Sequence, residues 1–467
     1  MFGLYILAIL FVGFYYFNKT KTADDYFVGG RNLNYFHIGL SVVATDVGGG
    51  FSIGLGGLGF TMGLSGSWLL FTGLIGAWMA AVLLIPRVYN LGLKGNFLTF
   101  PDIFKSFYGV KVAMIAGLIS AIGYLGFTSS QVLAAAKLAT ATFDQLDIST
   151  ALWVMGGFTV VYTAIGGIKA VIFTDTFQWI ILLSGLLFVG IPVCYVQLGG
   201  WEVISSQLAP EFLSLTNIDW ITIINWSITI IPIWFVGMTL YQRIYASKSE
   251  KEAKKAWFLA GLFEWPVMAF MGIILGMFSR VALEQGLLGA QYTLEGFDPE
   301  LGLPLMIKTF MPVGLLGVIL AAYFSAILST ADSCLMAASG NTISDLFRIK
   351  STGSKFIRIS QLATLVIGVF AIIIATYLQN VLELMLYSYA FMVSGLLVPL
   401  VAAVFFKQTN AWAAIASMIF GGFTTLFLIV GDYSLPLKLD PNAFGISMSL
   451  GSFILVSKLM KYGNKYL

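Results

Sequence analysis

The sequence predicts an all-α integral membrane protein that crosses the bilayer about thirteen times. Its 467 residues are 58% hydrophobic and 10% charged, whereas a soluble domain carries about 25% charged residues. Apolar runs recur from end to end, each close to the ~20 residues that carry a helix across a ~30 Å hydrocarbon layer. The runs are continuous rather than alternating, which excludes a membrane barrel and leaves helices as the spanning structure.

In chain order the predicted spans are 2–17, 37–63, 65–90, 112–143, 149–166, 170–197, 219–243, 256–282, 313–340, 356–379, 381–405, 411–430 and 442–460. No soluble domain fits between them, and one polytopic domain, 1–467, covers the chain. The first run lacks a basic start and an obvious cleavage site, so it reads as a helix rather than a leader. Of the 25 Lys and Arg, all but Lys137, Arg280, Lys308 and Lys438 fall in one alternate set of loops, Arg243 and Lys248 to Lys255 among them. The positive-inside rule makes those loops cytoplasmic. With an odd number of helices, the N-terminus lies outside and the C-terminus in the cytoplasm. The opposite stretches, 198–218 and 283–312, carry Glu202, Glu211, Glu284, Glu295, Asp298 and Glu300 and are expected to form short helices or lids over an entrance.

Two spans are irregular. The second carries Gly48, Gly49 and Gly50 beside Asp46, and the seventh carries Ile231-Pro232 and Gly237. Glycine permits non-helical backbone and proline deletes a helical hydrogen bond, so both are candidates for unwinding inside the membrane. Paired interruptions five helices apart point to a transporter with its site at the midplane; close helix packing explains glycine equally well.

Asp46, Asp175, Glu264 and Asp332 are the carboxylates that fall within or close to apolar spans, where an ionised group costs roughly 3 kcal/mol or more. Unwinding beside Asp46 frees the carbonyls of Ala44 and Val47, and carbonyl and carboxylate oxygens suit a hard cation. In the ninth span Ala326, Ser329 and Thr330 share one helical face, as do Ser329, Asp332 and Ser333. The same hydroxyls could instead bond back to their own helix. Asp175 follows a Gly166-Gly167 turn and reads either as a helix cap or as a partner of Lys169. Glu264, next to Trp265-Pro266, suggests no role. Cys194 and Cys334 lie in apolar spans and indicate no disulfide framework; the single histidine, His37, excludes a histidine-rich metal site.

Gly166-Gly167, Ala170-Val171, Thr174-Asp175 and Gln178, then Ser329-Thr330-Ala-Asp-Ser333, then Tyr389-Ala-Phe, Gly395-Leu-Leu-Val-Pro399 and Lys407, resemble in order the signature regions of the sodium/solute symporter family. The resemblance covers nearly the whole chain. It implies a five-plus-five inverted-repeat core: an extra helix at 2–17, a first repeat at 37–197, a second at 219–405 and two C-terminal helices at 411–460. It implies sodium held by the carbonyls of Ala44, Val47 and Ala326 and the hydroxyls of Ser329 and Thr330. Asp46 resembles the acidic residue that supports sodium in the proline-transporter branch. A second sodium site would join Asp175 with Ser329, Asp332 and Ser333, although some two-sodium members have serine at the Asp332 position.

The resemblance places the solute among Phe51, Gln131, Trp234, Met238, Thr239 and Tyr387. The sugar branch has Gln near the Phe51 position and Asn-Gln at Gly237-Met238, which argues against a sugar; the tryptophan cage of the choline branch is not evident. The expected partners are therefore Na+, an amino acid or a monocarboxylate, and the lipid of a cell membrane, with no nucleic acid and no organic cofactor. The expected activity is sodium-coupled secondary active symport. A proton-coupled transporter using Asp46 or Asp332, and a solute-binding sensor or channel, are the alternatives; no nucleotide loop or metal-ligand motif suggests an enzyme.

Overall fold

A computed structural model describes residues 30–46, 48–349 and 354–463, and their side chains except at 46, 49–51, 165–175, 177, 178, 354, 462 and 463. The expected first span at 2–17 and Val47 lie outside the described residues, as do the side chains of Asp46, Phe51, Lys169 and Asp175. Two half-helices come first, α1 (Tyr35–Asp46) and α2 (Gly48–Met62), followed by α3 (68–95), the short α4 (Pro101–Tyr108) and the long α5 (Val110–Thr142). Next are α6 (Ile148–Ala164) and α7 (Trp179–Gln197), then two more half-helices, α8 (Trp220–Val236) and α9 (Met238–Ala246). The chain continues through α10 (Glu250–Glu284), the short α11 (Pro299–Phe310), α12 (Val313–Leu346), α13 (Lys355–Ala375), α14 (Val381–Val404), α15 (Ala411–Gly431) and α16 (Pro441–Lys461).

Among the described residues nine helices are long and apolar enough to cross a membrane, ten when the bent pair α8 and α9 is one span. The difference from thirteen has plain causes. One expected span is outside the described residues, Ser52–Gly95 holds the end of one expected span and the whole of the next, and Ile148–Ala164 is a short apolar helix. Side chains fix several starts. Asp147, Ser249, Asp298 and Asn410 each accept a hydrogen bond from a backbone N–H two or three residues on, satisfying donors that a helix start leaves open.

The two ends of the bundle differ in charge. At the acidic end, Gly63 meets the Phe212 carbonyl region, the Leu198 carbonyl accepts from Gln285, and Lys308 pairs with Asp144 at 2.5 Å. Both flanks of the segment 148–197 are therefore at this end. At the basic end, Leu33 and Lys248 exchange backbone hydrogen bonds with Ala246 and Leu33, and Arg31 donates to the Phe97 carbonyl at 2.7 Å. Phe97, Phe100, Tyr241 and Tyr245 form a buried chain of ring contacts there. Large apolar side chains face outward along the helices, including Phe188 on α7 and Phe423 on α15, as lipid rather than water demands.

Two expectations change. Pro232 does not break its helix; α8 runs through it and the bend of 42° falls at Gly237. The carbonyl that Pro232 leaves without its helical N–H, that of Ile228, accepts a hydrogen bond from Asn442 Nδ2 at 2.9 Å, so the ladder survives. Arg243 is not a loop cation. It is fully buried in α9, where hydroxyls receive its guanidinium. The expected short elements of the acidic end appear as Gly200–Gln207, Pro210–Leu213 and α11.

Candidate functional site

The break between α1 and α2 is set at Gly48. Its φ of +47° lies in the left-handed region, and a Cβ placed there would sit 2.3 Å from Thr330 Oγ1. Only glycine meets both demands without strain. The close approach lets α12 reach the end of α1: Thr330 Oγ1 donates to the Ala44 carbonyl at 2.8 Å and lies 3.1 Å from the Ala326 carbonyl. Ala44, Ala326 and Thr330 are fully buried, and Ser329 almost so, three residues along the helix from Ala326. Neutral oxygens from two elements thus converge beside a helix break, the type of ligand a hard monovalent cation takes. Among the described residues no cluster of three or more His, Cys, Asp or Glu could hold a metal ion.

One turn further along α12 the second expected set divides. Asp332 accepts a hydrogen bond from Thr163 of α6. Ser333 faces α1 and α9: its Oγ accepts from Thr45 Oγ1 at 3.2 Å and from Arg243 Nη2 at 2.9 Å. The same guanidinium reaches Ser41 Oγ at 3.0 Å, Thr45 Oγ1 at 2.5 Å and the Thr239 carbonyl at 3.1 Å. Arg243 therefore ties α9 to α1 and α12 one turn from Thr330. Sequence reasoning grouped it with the loop cations five residues downstream; the apolar and aromatic residues around it, Leu240, Tyr241, Ile244 and Tyr245, were the signal that it is interior.

Among the described residues the solute candidates stand in several different surroundings. Tyr387 lines a cavity at the acidic end and donates to Glu383 Oε1 at 2.6 Å. Gln131 of α5 is fully buried, with Nε2 3.3 Å from Ser130 Oγ and 3.9 Å from Met385 Sδ of α14. Trp234 turns the other way, into the seam where Gly76 of α3 and Trp257 of α10 meet it. Met238 Sδ accepts from the Phe100 N–H at 3.1 Å, and Thr239 bonds the Tyr124 hydroxyl through both its N–H and its Oγ1. Glu264 is fully buried with its carboxylate against Gly73 of α3, where the backbone leaves the helix at Trp265.

The cavity has a volume of about 420 Å³ and lies between α2, α8, α14, the start of α16 and the short helix α11. Trp226, Glu300, Glu383, Tyr387 and Asp440 are in its wall, and no Lys or Arg is. Burial raises the Asp440 carboxyl above the usual carboxylate pKa. Glu383 holds the Asn380 amide at 3.3 Å as well as the Tyr387 hydroxyl.

Residues 26–421 match the sequence profile of the Sodium:solute symporter family. The chain belongs to that family. The symporter is 27% identical to the osmoregulated proline transporter OpuE of Bacillus subtilis (strain 168), over 98% of this chain and 94% of that one. It is 26% identical to the high-affinity proline transporter PutP of the same organism, over 90% and 89% of the two chains. A Na+-coupled sialic acid symporter in a substrate-bound outward-open state shares the fold, with a TM-score of 0.79 at 23% identity over 98% of this chain and 97% of that one. Mhp1, a nucleobase-cation-symport-1 family transporter in a closed conformation, shares it at a TM-score of 0.61, 13% identity and 94% coverage of both. The protein is a multi-pass membrane transporter that carries out sodium-coupled symport.

Proposed function

We propose that this symporter imports a small amino acid, with one sodium ion held by Ala44, Val47, Ala326, Ser329 and Thr330. The observation that carries the reading is the convergence of the Ala44 and Ala326 carbonyls on Thr330 Oγ1 at the Gly48 break. A single charge moving down 100 mV supplies ~2.3 kcal/mol before any concentration gradient, and coupling follows when sodium and solute favour the same conformation. Arg243 argues against a second ion at Asp332 and Ser333, because its guanidinium already lies 2.9 Å from Ser333 Oγ. Asp46 supports the site from the end of α1.

The solute class rests on two supports. The relatives OpuE and PutP are proline transporters, and beside Glu300, whose charge Lys137 neutralises, the cavity wall carries Glu383 and Asp440. Those two carboxylates favour a solute presenting an ammonium group over a simple monocarboxylate anion. The cavity end faces outside and the basic end faces the cytoplasm of a cell membrane, with the N-terminus outside and the C-terminus inside; the cations at the basic end support this orientation. Residues 37–197 and 219–405 are the two repeats, each opening on a broken helix.

Uptake by proteoliposomes tests the reading. Sodium-driven accumulation of an amino acid is expected, lost when choline replaces sodium at fixed pH, and Ser329→Ala and Thr330→Ala should each raise the half-activating sodium concentration. Wild-type sodium dependence in both variants would remove the ion-site assignment. Uptake that survives the choline exchange would instead indicate protons.

A further inference from the structure

Among the described residues two cations are buried, Arg243 and Lys137, and the ion site gives no work to Lys137. Its ammonium, on α5, lies 2.7 Å from Glu300 Oε2 and 2.6 Å from Asp298 Oδ2, with the Lys137 and Glu300 side chains only 6% and 7% exposed. Glu300 does more than neutralise it. Its two oxygens accept from the backbone N–H groups of Val381 and Leu382, each at 3.0 Å. These are the first two residues of α14, so the carboxylate caps that helix and meets its positive dipole end. The Glu300 side chain also packs on Gly57 of α2. One carboxylate thus joins the short helix α11, the scaffold helix α5, the start of α14 and the wall of the cavity.

A buried ion pair is a poor stabilising device, since apolar residues of similar volume often serve as well. What it provides is one fixed arrangement. Here that arrangement sets where α14 begins, and Glu383, Leu386 and Tyr387 on its first two turns line the cavity.

We propose that Lys137 and Glu300 are positioning residues for transport, whose ion pair holds the first turns of α14 in the cavity-open arrangement and thereby sets the apparent affinity for solute. The inference rests on solute reaching the protein through this cavity. Neither residue needs to touch the ion or the solute.

The test uses the full chain carrying Leu386→Cys, labelled from outside with a membrane-impermeant thiol reagent; the native Cys194 and Cys334 are both buried. Glu300→Gln and Lys137→Met should each slow labelling about tenfold and raise KM about tenfold, with the maximal rate per folded transporter within about twofold, since a shift in conformational population taxes affinity first. The double variant should be no worse than either single one. Glu300→Asp and Lys137→Arg keep the charges and should recover most of the labelling rate. Labelling and KM unchanged in both single variants, or a double variant whose effect is the product of the two, would overturn the proposal. Should Glu300→Gln fail to accumulate, Lys137→Met carries the test from the other side of the pair: slower labelling supports the proposal and a wild-type rate overturns it. Labelling requires no solute, so slowed labelling in a protein without sodium-driven amino-acid uptake would discard the amino-acid reading while leaving the ion pair's hold on the first turns of α14 standing.

Discussion

The two broken helices look alike in sequence, each glycine-bearing and each opening a half of the chain, yet they break for different reasons. Between α1 and α2 the backbone turns through a left-handed Gly48 pressed against Thr330. Between α8 and α9 Gly237 has an ordinary φ of −68° and ψ of 115°, and the new helix start is held by side chains, with the Thr239 N–H donating to the Tyr124 hydroxyl at 3.2 Å. The first break depends on the absence of a Cβ and the second on the presence of a partner. A helix interruption in lipid needs either a special backbone or a donated hydrogen bond, and this protein uses one of each.

Substitutions at the two breaks separate these causes. Gly48→Ala should have the largest effect, because left-handed backbone costs an alanine ~1–2 kcal/mol and the Thr330 clash adds to it; a loss of sodium-driven uptake of about a hundredfold is expected. Gly237→Ala meets Ile233 O, Leu240 and Tyr124 at 3.1–3.2 Å without left-handed strain, so uptake should stay within about threefold of the wild type. Equal losses in the two would erase the distinction. Next in size, Thr330→Ala should raise the half-activating sodium concentration about tenfold, equivalent to ~1.4 kcal/mol, read from sodium titrations of uptake. Tyr124→Phe removes the partner of the second break and should cost ~1 kcal/mol, seen as an uptake loss of about fivefold with an unchanged sodium midpoint. Smallest for transport is Asn442→Ala. It exposes the Ile228 carbonyl beneath Pro232 and should lower stability by ~1–2 kcal/mol in a detergent melt, leaving uptake per folded molecule unaltered.

The sequence made the class of fold legible because hydrophobic length is a one-dimensional property: the apolar runs and the glycine-broken second span are visible in the residues themselves. The meeting of Ala44, Ala326 and Thr330 was partly legible for the same reason, since Ala326, Ser329 and Thr330 follow helical spacing and Ala44 lies one turn before the glycines. Spacing cannot say which way a face turns. Trp234 and Tyr387 are both aromatic residues in core spans, yet Trp234 fills a seam between α3 and α10 while Tyr387 lines the cavity. Charge was legible by count and misleading by place. Arg243 was grouped with its loop neighbours though its hydroxyl partners, Ser41, Thr45 and Ser333, are some 90 to 200 residues distant. Glu300 was visible as an external acid, but its work lies on Lys137 and on the amides of Val381 and Leu382, and no local pattern announces such partners.

A hydroxyl has one hydrogen to give, and that of Thr330 has two carbonyls within reach, Ala44 at 2.8 Å and Ala326 at 3.1 Å. It is given to Ala44 across the helix break. Under the proposed reading, a rotation about one bond would free the Ala44 carbonyl and turn a lone pair of Thr330 Oγ1 toward the ion, so that the strut between α12 and α1 would pass from a proton to the ion.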